Sequence, residues 1–239
     1  TESNDGAGVY MQYAGTASNC WIADNQAMTG SGGGVDIYHG GKVVNSVVIG
    51  NSSTFRGGGI HARYDGGTIL HCTVASNTCA GEGGGIWMAN TCTTVNSIVY
   101  YNVAPASANF YAHNTAVASN NCTTPAVGSG SVTGAPQFTS LSGRTFTLTG
   151  TSPCIDAGLA AYGLTTDYSG NPRPSGALPD IGAYEYASGW DAGYTSIGGG
   201  WRRLGWFGDY VPMGDWIFHN KHGFWYPATG STPQNIWFY

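Results

Sequence analysis

Short apolar stretches that begin with glycine recur along the first half of the chain at a nearly constant spacing. A Gly-aliphatic pair opens each stretch, at Gly8, Gly34, Gly59 and Gly85, with separations of 26, 25 and 26 residues. Apolar and polar positions alternate within the stretches, and no 3.6-residue period runs between them. A fixed period of this length indicates one turn of a repeating architecture.

A second apolar strand follows each glycine element about ten residues later and closes on an asparagine, at Asn25, Asn51, Asn77 or Asn102. A strand, turn, strand, turn unit of this length is what one coil of a parallel β-helix requires, because stacked coils lie about 4.8 Å apart and each strand hydrogen-bonds to its neighbours. The asparagines suit a bend whose amides stack, and the glycine runs suit a corner where Cβ atoms would clash or φ is positive. We predict an all-β chain built on a right-handed parallel β-helix, a solenoid of about 25–26 residues per coil.

The repeat degrades after Asn102. A strand-like pair follows at 136–138 and 144–148, and the solenoid is expected to end near residue 150, after five or six coils. The predicted organisation is β-helix coils over 1–150, a closing segment over 151–186, and an aromatic-rich antiparallel β-meander over 187–239.

Composition favours a protein that acts outside the cell. Only 9% of the residues are charged and 39 are glycine, whereas about 25% are charged in an average domain. The eight basic residues are dispersed and the net charge is −5, which argues against nucleic acid as a partner. No apolar run approaches the roughly 20 residues of a membrane span. The chain begins at Thr1 without a start Met, as expected of a mature or excised product.

The six cysteines lack the spacing of zinc sites and favour disulfides in an oxidising compartment. The register places Cys20 and Cys72 two coils apart, about 10 Å, which exceeds disulfide reach, so both are predicted to be core residues. The other four flank the glycine corner at 83–85 or lie in the irregular last coils. The predicted disulfides are Cys79–Cys92 and Cys122–Cys154.

Three blocks of the closing segment resemble those of bacterial choice-of-anchor Q proteins. They are SPCIDAG at 152–158, DYSGNPR at 167–173 and DIGAYE at 180–185. The preceding coils look like the Gly-rich repeats of polymorphic outer-membrane-type β-helices, so the resemblance covers about residues 1–186. It implies secretion, a parallel β-helix and display on a bacterial cell surface, and it does not imply enzymatic activity. The tail resembles the aromatic C-terminal modules of some aquatic bacterial surface proteins, which implies attachment, export or assembly.

One stripe of side chains is a candidate ligand site. Asp36 and His61 share a repeat position in neighbouring coils, and Tyr10 and Trp87 complete the stack. These residues are predicted to form an outward stripe, and two interpretations stay open: it binds sugar, or it is plain surface. One carboxylate beside one histidine lacks the second acid of a glycosidase, so no catalytic residue is assigned.

The closing segment carries oxygen donors typical of a calcium site, at Asp156, Asp167, Asn171 and Asp180. The alternative is that these residues form turns and cap loops, with Arg173 paired to one of them. Calcium is the only cofactor that the sequence suggests.

In the tail, His219 and His222 flank a predicted hairpin turn, but no third and fourth ligand for zinc is evident. The tail aromatics either pack a small core or stack on sugars. The candidates for assembly or attachment are Trp201, Trp206, Phe207, Trp216, Trp225 and Trp237.

A β-helix exposes an unpaired strand edge at each end unless something covers it. Only TESND precedes the first glycine element, so the N-terminal edge is predicted to be bare, with the aromatic module closing the other end. We therefore expect an extracellular structural or adhesive surface protein, not an enzyme, that self-assembles head to tail into a filament or layer, or docks on the cell surface. The alternative is a polysaccharide-binding module, or a polysaccharide lyase or glycosidase on a β-helix.

Overall fold

The computed structural model describes residues 6–162, 164–186, 194–213 and 216–227. A parallel β-solenoid of about four coils is followed by an antiparallel hairpin and, nearer the C-terminus, a five-stranded antiparallel sheet. The predicted all-β solenoid with an antiparallel module is confirmed. The described residues contain one short 3-10 helix, Ala160–Tyr162, and no helix long and apolar enough to cross a membrane.

Each of the first three coils contains four strands. These are β1 (Val9–Met11), β2 (Thr16–Ser18), β3 (Trp21–Ala23), β4 (Gln26–Ala27), β5 (Val35–Ile37), β6 (Lys42–Val44), β7 (Val47–Ile49), β8 (Ser52–Ser53), β9 (Ile60–Ala62), β10 (Thr68–Leu70), β11 (Thr73–Ala75) and β12 (Thr78–Cys79). The fourth coil and a partial fifth contain β13 (Ile86–Ala89), β14 (Thr93–Val95), β15 (Ile98–Tyr100), β16 (Phe110–His113) and β17 (Val117–Ser119).

Equivalent strands of successive coils pair in parallel and form four sheets. Sheet A contains β1, β5, β9, β13 and β16, sheet B contains β2, β6, β10, β14 and β17, sheet C contains β3, β7, β11 and β15, and sheet D contains β4, β8 and β12. Val9 pairs with Val35, and Val35 with Ile60, which is the predicted register. The periodicity does not predict the strands of sheets B and D; those of sheet D have two residues, too few to show alternation.

The corner between sheets C and D carries an asparagine ladder. Asn25 donates to Asn51 Oδ1 at 2.9 Å, Asn51 to Asn77 Oδ1 at 3.0 Å, and Asn77 to Asn102 Oδ1 at 3.0 Å. The ladder continues to Asn109. The predicted stacking of these amides is confirmed, and it satisfies polar groups that are buried between coils.

The corner that leads into sheet A requires glycine. A Cβ on Gly58 would lie 2.3 Å from the Thr78 carbonyl oxygen and 2.4 Å from that of Gly84. The predicted clash at this corner is confirmed, since adjacent coils approach here through their main chains.

Sheet C is buried on both faces. Val48 lies in the solenoid core, whereas Val47 and Ile49 contact a second cluster that includes Phe146 and Ala183. The covering elements are the hairpin of β18 (Phe138–Ser140) and β19 (Thr145–Leu148), at the predicted strand pair, and the end of the closing segment. The closing segment therefore lies along the side of the solenoid.

Residues 127–132 lie on the last coil. This is the end of the solenoid that the aromatic module was predicted to close. Ser129 and Val132 form bridges to Ser119 and Cys122, and Val127 packs against the solenoid core. These residues thus cover part of the end of the stack, and the solenoid has about four coils where five or six were predicted.

At the opposite end, β1 to β4 are the outermost strands of their sheets among the described residues. Their main chain bonds to the second coil, for example from Val9 N to Gly34 O at 2.9 Å. Within the described part of the chain, the first coil therefore presents an unpaired edge.

All six cysteines are free thiols, so neither predicted disulfide is present. Cys72 is buried in the core and Cys20 packs against it, as expected. Cys79 contacts the Ser53 hydroxyl in sheet D, whereas Cys92 lies in the core beyond the glycine corner, so the predicted Cys79–Cys92 disulfide is wrong.

Cys122 and Cys154 do contact each other. Both are fully buried, and a hydrogen bond with the Cys154 thiol, together with burial, raises the pKa of Cys122. The contact joins the last coil to the closing segment.

The tail sheet runs in chain order through β20 (Thr195–Gly198), β21 (Trp201–Leu204), β22 (Gly208–Met213), β23 (Trp216–His219) and β24 (Gly223–Trp225). Its buried cluster contains Tyr194, Leu204, Tyr210 and Ile217. The predicted aromatic meander is confirmed for the described residues.

Replacing Asn77 with alanine should lower the free energy of unfolding by roughly 3 kcal/mol, because each buried polar group left unpaired costs about 1–3 kcal/mol. The change removes the acceptor of Asn51 N and the donor to Val48 O, both at 2.9 Å. Asn25→Ala, at the less buried end of the ladder, is the matched control and should cost about 1 kcal/mol or less. Urea unfolding followed by circular dichroism measures both, and equal losses would contradict the ladder's role.

Mild oxidation of the folded protein by a small disulfide reagent should link Cys122 to Cys154, with a mass loss of about 2 Da as the reagent is reduced. Peptide mapping under non-reducing conditions identifies the bond. Cys79 and Cys92 serve as the internal control, and a crosslink between them would contradict the structure.

Candidate functional site

The predicted stripe lies on the outer face of sheet A. Tyr10 pairs with Asp36, Asp36 with His61, and His61 with Trp87, and the next coil adds Tyr111 in the same register. The expected alignment is confirmed. The expected exposure is wrong for three members: Tyr10 is 41% exposed, but Asp36, His61 and Trp87 are 0%, 2% and 7% exposed, since neighbouring side chains cover them.

Asp36 and His61 form a buried pair at the centre of this face. His61 Nδ1 lies 3.0 Å from Asp36 Oδ1, so the ring donates from Nδ1 and its Nε2 is unprotonated in the neutral form. Burial lowers the pKa of His61, an effect that the hydrogen bond with Asp36 opposes. The pair therefore holds a neutral, oriented imidazole.

Two buried atoms of this pair, Asp36 Oδ2 and His61 Nε2, have no hydrogen-bond partner among the described residues. Arg63 Nη2 lies 4.0 Å from Asp36 Oδ2, an ion pair that is too long for a hydrogen bond. Unpaired buried polar atoms are costly and mark positions retained for a reason other than stability.

Three stacked rings, which we call the ring ladder, lie at the corner between sheets A and B. Tyr13, His39 and Tyr64 occupy one repeat position, with ring centres 5.9 Å apart for the first pair and 4.7 Å for the second. The Arg63 guanidinium lies 4.6 Å from the Tyr38 ring centre beside them. Tyr13 is 72% exposed. This ladder was not predicted from the sequence. Its three members are nevertheless all aromatic or histidine, and they lie 26 and 25 positions apart.

A second aromatic group lies at the other border of sheet A. The Trp87 and Tyr111 rings stack at 5.8 Å, and the Trp87 Nε1 donates to Glu82 Oε2 at 3.3 Å. The Arg56 Cζ lies 4.7 Å from the ring centres of both Trp87 and Phe55. Phe55 is 59% exposed.

Sheet A thus combines exposed flat rings with fixed polar groups. Such surfaces bind sugar rings by stacking while the polar groups orient the hydroxyls. The buried His61 Nε2 has the geometry of a general base, but at 2% exposure it does not reach a substrate in this conformation.

A second repeat position holds the closing segment to the solenoid. The residue directly after each of the five sheet B strands has φ between 46° and 52°, the left-handed conformation that asparagine tolerates. Four of these five residues are asparagines that donate to carbonyls of the closing segment. The bonds are Asn19 to Tyr168 at 3.1 Å, Asn45 to Thr166 at 2.7 Å, Asn96 to Leu159 at 2.9 Å and Asn120 to Ala157 at 3.1 Å.

The fifth such residue, His71, belongs to a buried ionic group that we call the clamp. The clamp consists of His71, Arg173, Asp180 and Glu185. Arg173 Nη1 lies 3.0 Å from Glu185 Oε1, donates to the Asp180 carbonyl at 3.0 Å, and contacts His71 Nδ1. Three of these residues belong to the GNPR and DIGAYE blocks. The blocks therefore act in attaching the closing segment to the third coil.

The predicted calcium ligands bind main-chain groups. Asp167 Oδ1 accepts from Ser169 N and Asn171 N at 2.8 Å each, and Asp180 Oδ1 accepts from Asp156 N at 2.8 Å. Among the described residues, no group of three or more His, Cys, Asp or Glu side chains is placed to hold a metal ion. These contacts favour the turn and loop-cap alternative, and calcium binding stays a prediction.

The clamp shifts the pKa values of its own members. Burial and the Arg173 charge lower the pKa of His71 to about 3. Burial and the Glu185 charge raise the pKa of Asp180 to about 7. His71 and Asp180 therefore make the free energy of unfolding depend on pH, and their contributions change with pH in opposite directions.

The predicted attachment residues of the tail divide between two environments. Phe207 and Trp225 pack against the tail cluster. Trp206 and Trp216 are 52% and 50% exposed, and Trp201 packs edge-on against Phe218 at 6.2 Å. Trp237 lies outside the described residues.

The two tail histidines stack at 4.7 Å. His219 Nε2 lies 2.7 Å from the Phe207 carbonyl oxygen, and its Nδ1 accepts from Lys221 N at 3.1 Å. Both nitrogens of His219 are thus engaged within the hairpin, in agreement with the expectation that the pair alone makes no zinc site.

Comparisons with protein-family models, curated proteins and solved structures found no match. The resemblance of the closing segment to choice-of-anchor Q proteins therefore rests on its three sequence blocks alone.

Replacing His71 with asparagine, the residue of the other four coils, should reduce the loss of stability in acid. The folded pKa of His71, about 3, lies below its unfolded value near 6.5, so the unfolded state takes up a proton as the pH falls through this window. This costs the native protein roughly 1.4 kcal/mol per pH unit below 6.5.

Asp180 has the opposite sign, because its folded pKa of about 7 lies above its unfolded value, and stability falls as the pH rises toward 7. Both proteins retain Asp180, so the comparison isolates His71. Urea unfolding at pH 4.5 and pH 7.5 should show a smaller difference for His71→Asn than for the parent, while exposed His113→Asn should track the parent. If the difference between the two pH values is the same for the parent and both variants, the link between the His71 pKa and stability is refuted.

Proposed function

We propose that this protein is an extracellular structural and adhesive protein of a bacterial cell surface that binds polysaccharide through sheet A. The single observation that carries the proposal is the ring ladder, with its exposed Tyr13 and, beside the ladder, the Arg63 guanidinium on the Tyr38 ring. Such a surface is chemically suited to sugars.

Sheet A is the large face that the closing segment leaves open. Leu164 packs against Val44 and Leu70 of sheet B, and Ala183 packs against Val47 of sheet C. No described residue of the closing segment joins a cluster on the outer face of sheet A. Rings repeated on successive coils suit a polymer of repeating units better than a single small molecule.

The extracellular and bacterial assignment is supported by the low charged fraction of 9% and by the three choice-of-anchor Q-like blocks. The tail is proposed to serve attachment, because Trp206, Trp216 and Phe224 are half or more exposed on a small sheet. Enzymatic cleavage of the same polymer is the competing function, and it predicts depolymerisation that Asp36→Ala or His61→Ala abolishes.

A second candidate is head-to-tail self-assembly, which is favoured by the edge of β1 to β4, unpaired among the described residues. Residues 127–132 cover part of the opposite end, so the partner edge there would be that of β16. Light scattering and electron microscopy at high protein concentration test it, and a monodisperse monomer without fibres refutes it.

Replacing Tyr13 with alanine should weaken polysaccharide binding about fivefold, since one stacking ring contributes on the order of 1 kcal/mol. Affinity electrophoresis and calorimetry against a panel of soluble polysaccharides measure the effect. Tyr162→Ala is the matched control, because Tyr162 is 40% exposed in the 3-10 helix, away from sheet A. Absence of binding to every polymer, or equal loss in both variants, would reject sheet A as the binding face.

A further inference from the structure

Arg56 differs from Arg144 and Arg173, which both form ion pairs. Arg144 binds Asp24 at 2.6 Å and Arg173 binds Glu185 at 3.0 Å. Within the described part of the chain, the Arg56 guanidinium forms only ring contacts, with no hydrogen bond or ion pair, and the residue is half-buried. A partly desolvated guanidinium without an acceptor is a site of high affinity for an anion.

Its position is fixed in advance of any ligand. The Phe55 and Trp87 rings each lie 4.7 Å from the Arg56 Cζ, and Trp87 is itself held between His61 and Tyr111, at 4.9 and 5.8 Å. Rings that contact the flat face of a guanidinium leave its N–H edge for hydrogen bonding. The edge is therefore presented without the entropy cost of ordering a free side chain.

Among the described residues, the neighbouring carboxyl group of Glu82 forms no ion pair with it. Glu82 occupies the equivalent position in the next coil, where its main chain bridges to Arg56. Its side chain instead accepts the Trp87 indole N–H at 3.3 Å. The charge of Arg56 thus remains available at the border of sheet A.

We propose that the polysaccharide bound by sheet A carries carboxylate groups, as a polyuronate does, and that the N–H edge of Arg56 binds one of them. This inference rests on the proposed function and names the class of its ligand. The planar carboxylate matches two parallel N–H donors of a guanidinium edge, and the half-buried Tyr111 ring stacked on Trp87 provides a surface for the sugar that bears it. Asp36, at the centre of the face, is buried and paired with His61, so it does not face the ligand directly.

The test compares a linear polyuronate with the same polymer after its carboxylates are reduced to primary alcohols, using calorimetry on the full chain. We expect the polyuronate to bind at least about tenfold more tightly at about 20 mM salt, with the preference shrinking at about 500 mM. Arg56→Gln should abolish the preference. Arg56→Lys keeps the positive charge but loses the two parallel N–H donors of the guanidinium, so it should retain only part of the preference for the polyuronate.

Arg144→Gln is the matched control, because it changes the net charge equally at a distant, exposed ion pair. Equal affinity for the two polymers, or a preference that survives Arg56→Gln, overturns the inference while the proposed function stands. A sulfated neutral chain that binds as tightly as the polyuronate overturns the carboxylate assignment. Absence of binding to both polymers overturns the inference together with the proposed function, and circular dichroism of each variant excludes misfolding as the cause.

Discussion

In-register hydrogen bonding between successive coils is the constraint on which the rest of this structure depends. Every strand of the solenoid is only two to four residues long, so none is stable without the coils beside it. The corners must let the main chains approach to this spacing, which requires Gly58 and its equivalents, and they must satisfy buried amide groups, which requires the ladder through Asn51 and Asn77. A substitution at one repeat position therefore affects the packing and hydrogen bonding of the coils on both sides.

A stack of about four coils also exposes outward-facing apolar side chains, and the closing segment covers them. Its attachment uses two devices: carbonyl contacts with left-handed asparagines such as Asn45, and the clamp built on Arg173 and Glu185. Burying charges is costly unless they are paired and hydrogen-bonded, and Arg173 meets this condition through a carboxylate and two carbonyls. The three sequence blocks of the segment thus have a structural role in attaching it to the solenoid.

This arrangement leaves sheet A as the face for interaction. Its centre is a buried Asp36–His61 pair with unpaired polar atoms, and its borders are rings and arginines that stack on one another. The borders, not the centre, are accessible, so a ligand would meet Tyr13, Phe55 and Arg56 before it met the pair. The proposed adhesive function and its preference for acidic sugars both follow from that distribution of exposure.

The sequence alone determined the features that repeat: the parallel solenoid, the coil length, the Asn51–Asn77 stacking, the glycine corners and the alignment of Tyr10, Asp36, His61 and Trp87. Each coil places equivalent residues in equivalent surroundings, so the pattern is visible by comparing positions 25 or 26 apart. The burial of Asp36, the separation of Cys79 from Cys92, and the lateral course of the closing segment were decided only by the tertiary structure. These depend on which distant segment packs over a given position, and a local period contains no information about contacts such as that between His71 and Arg173, which lie 102 residues apart.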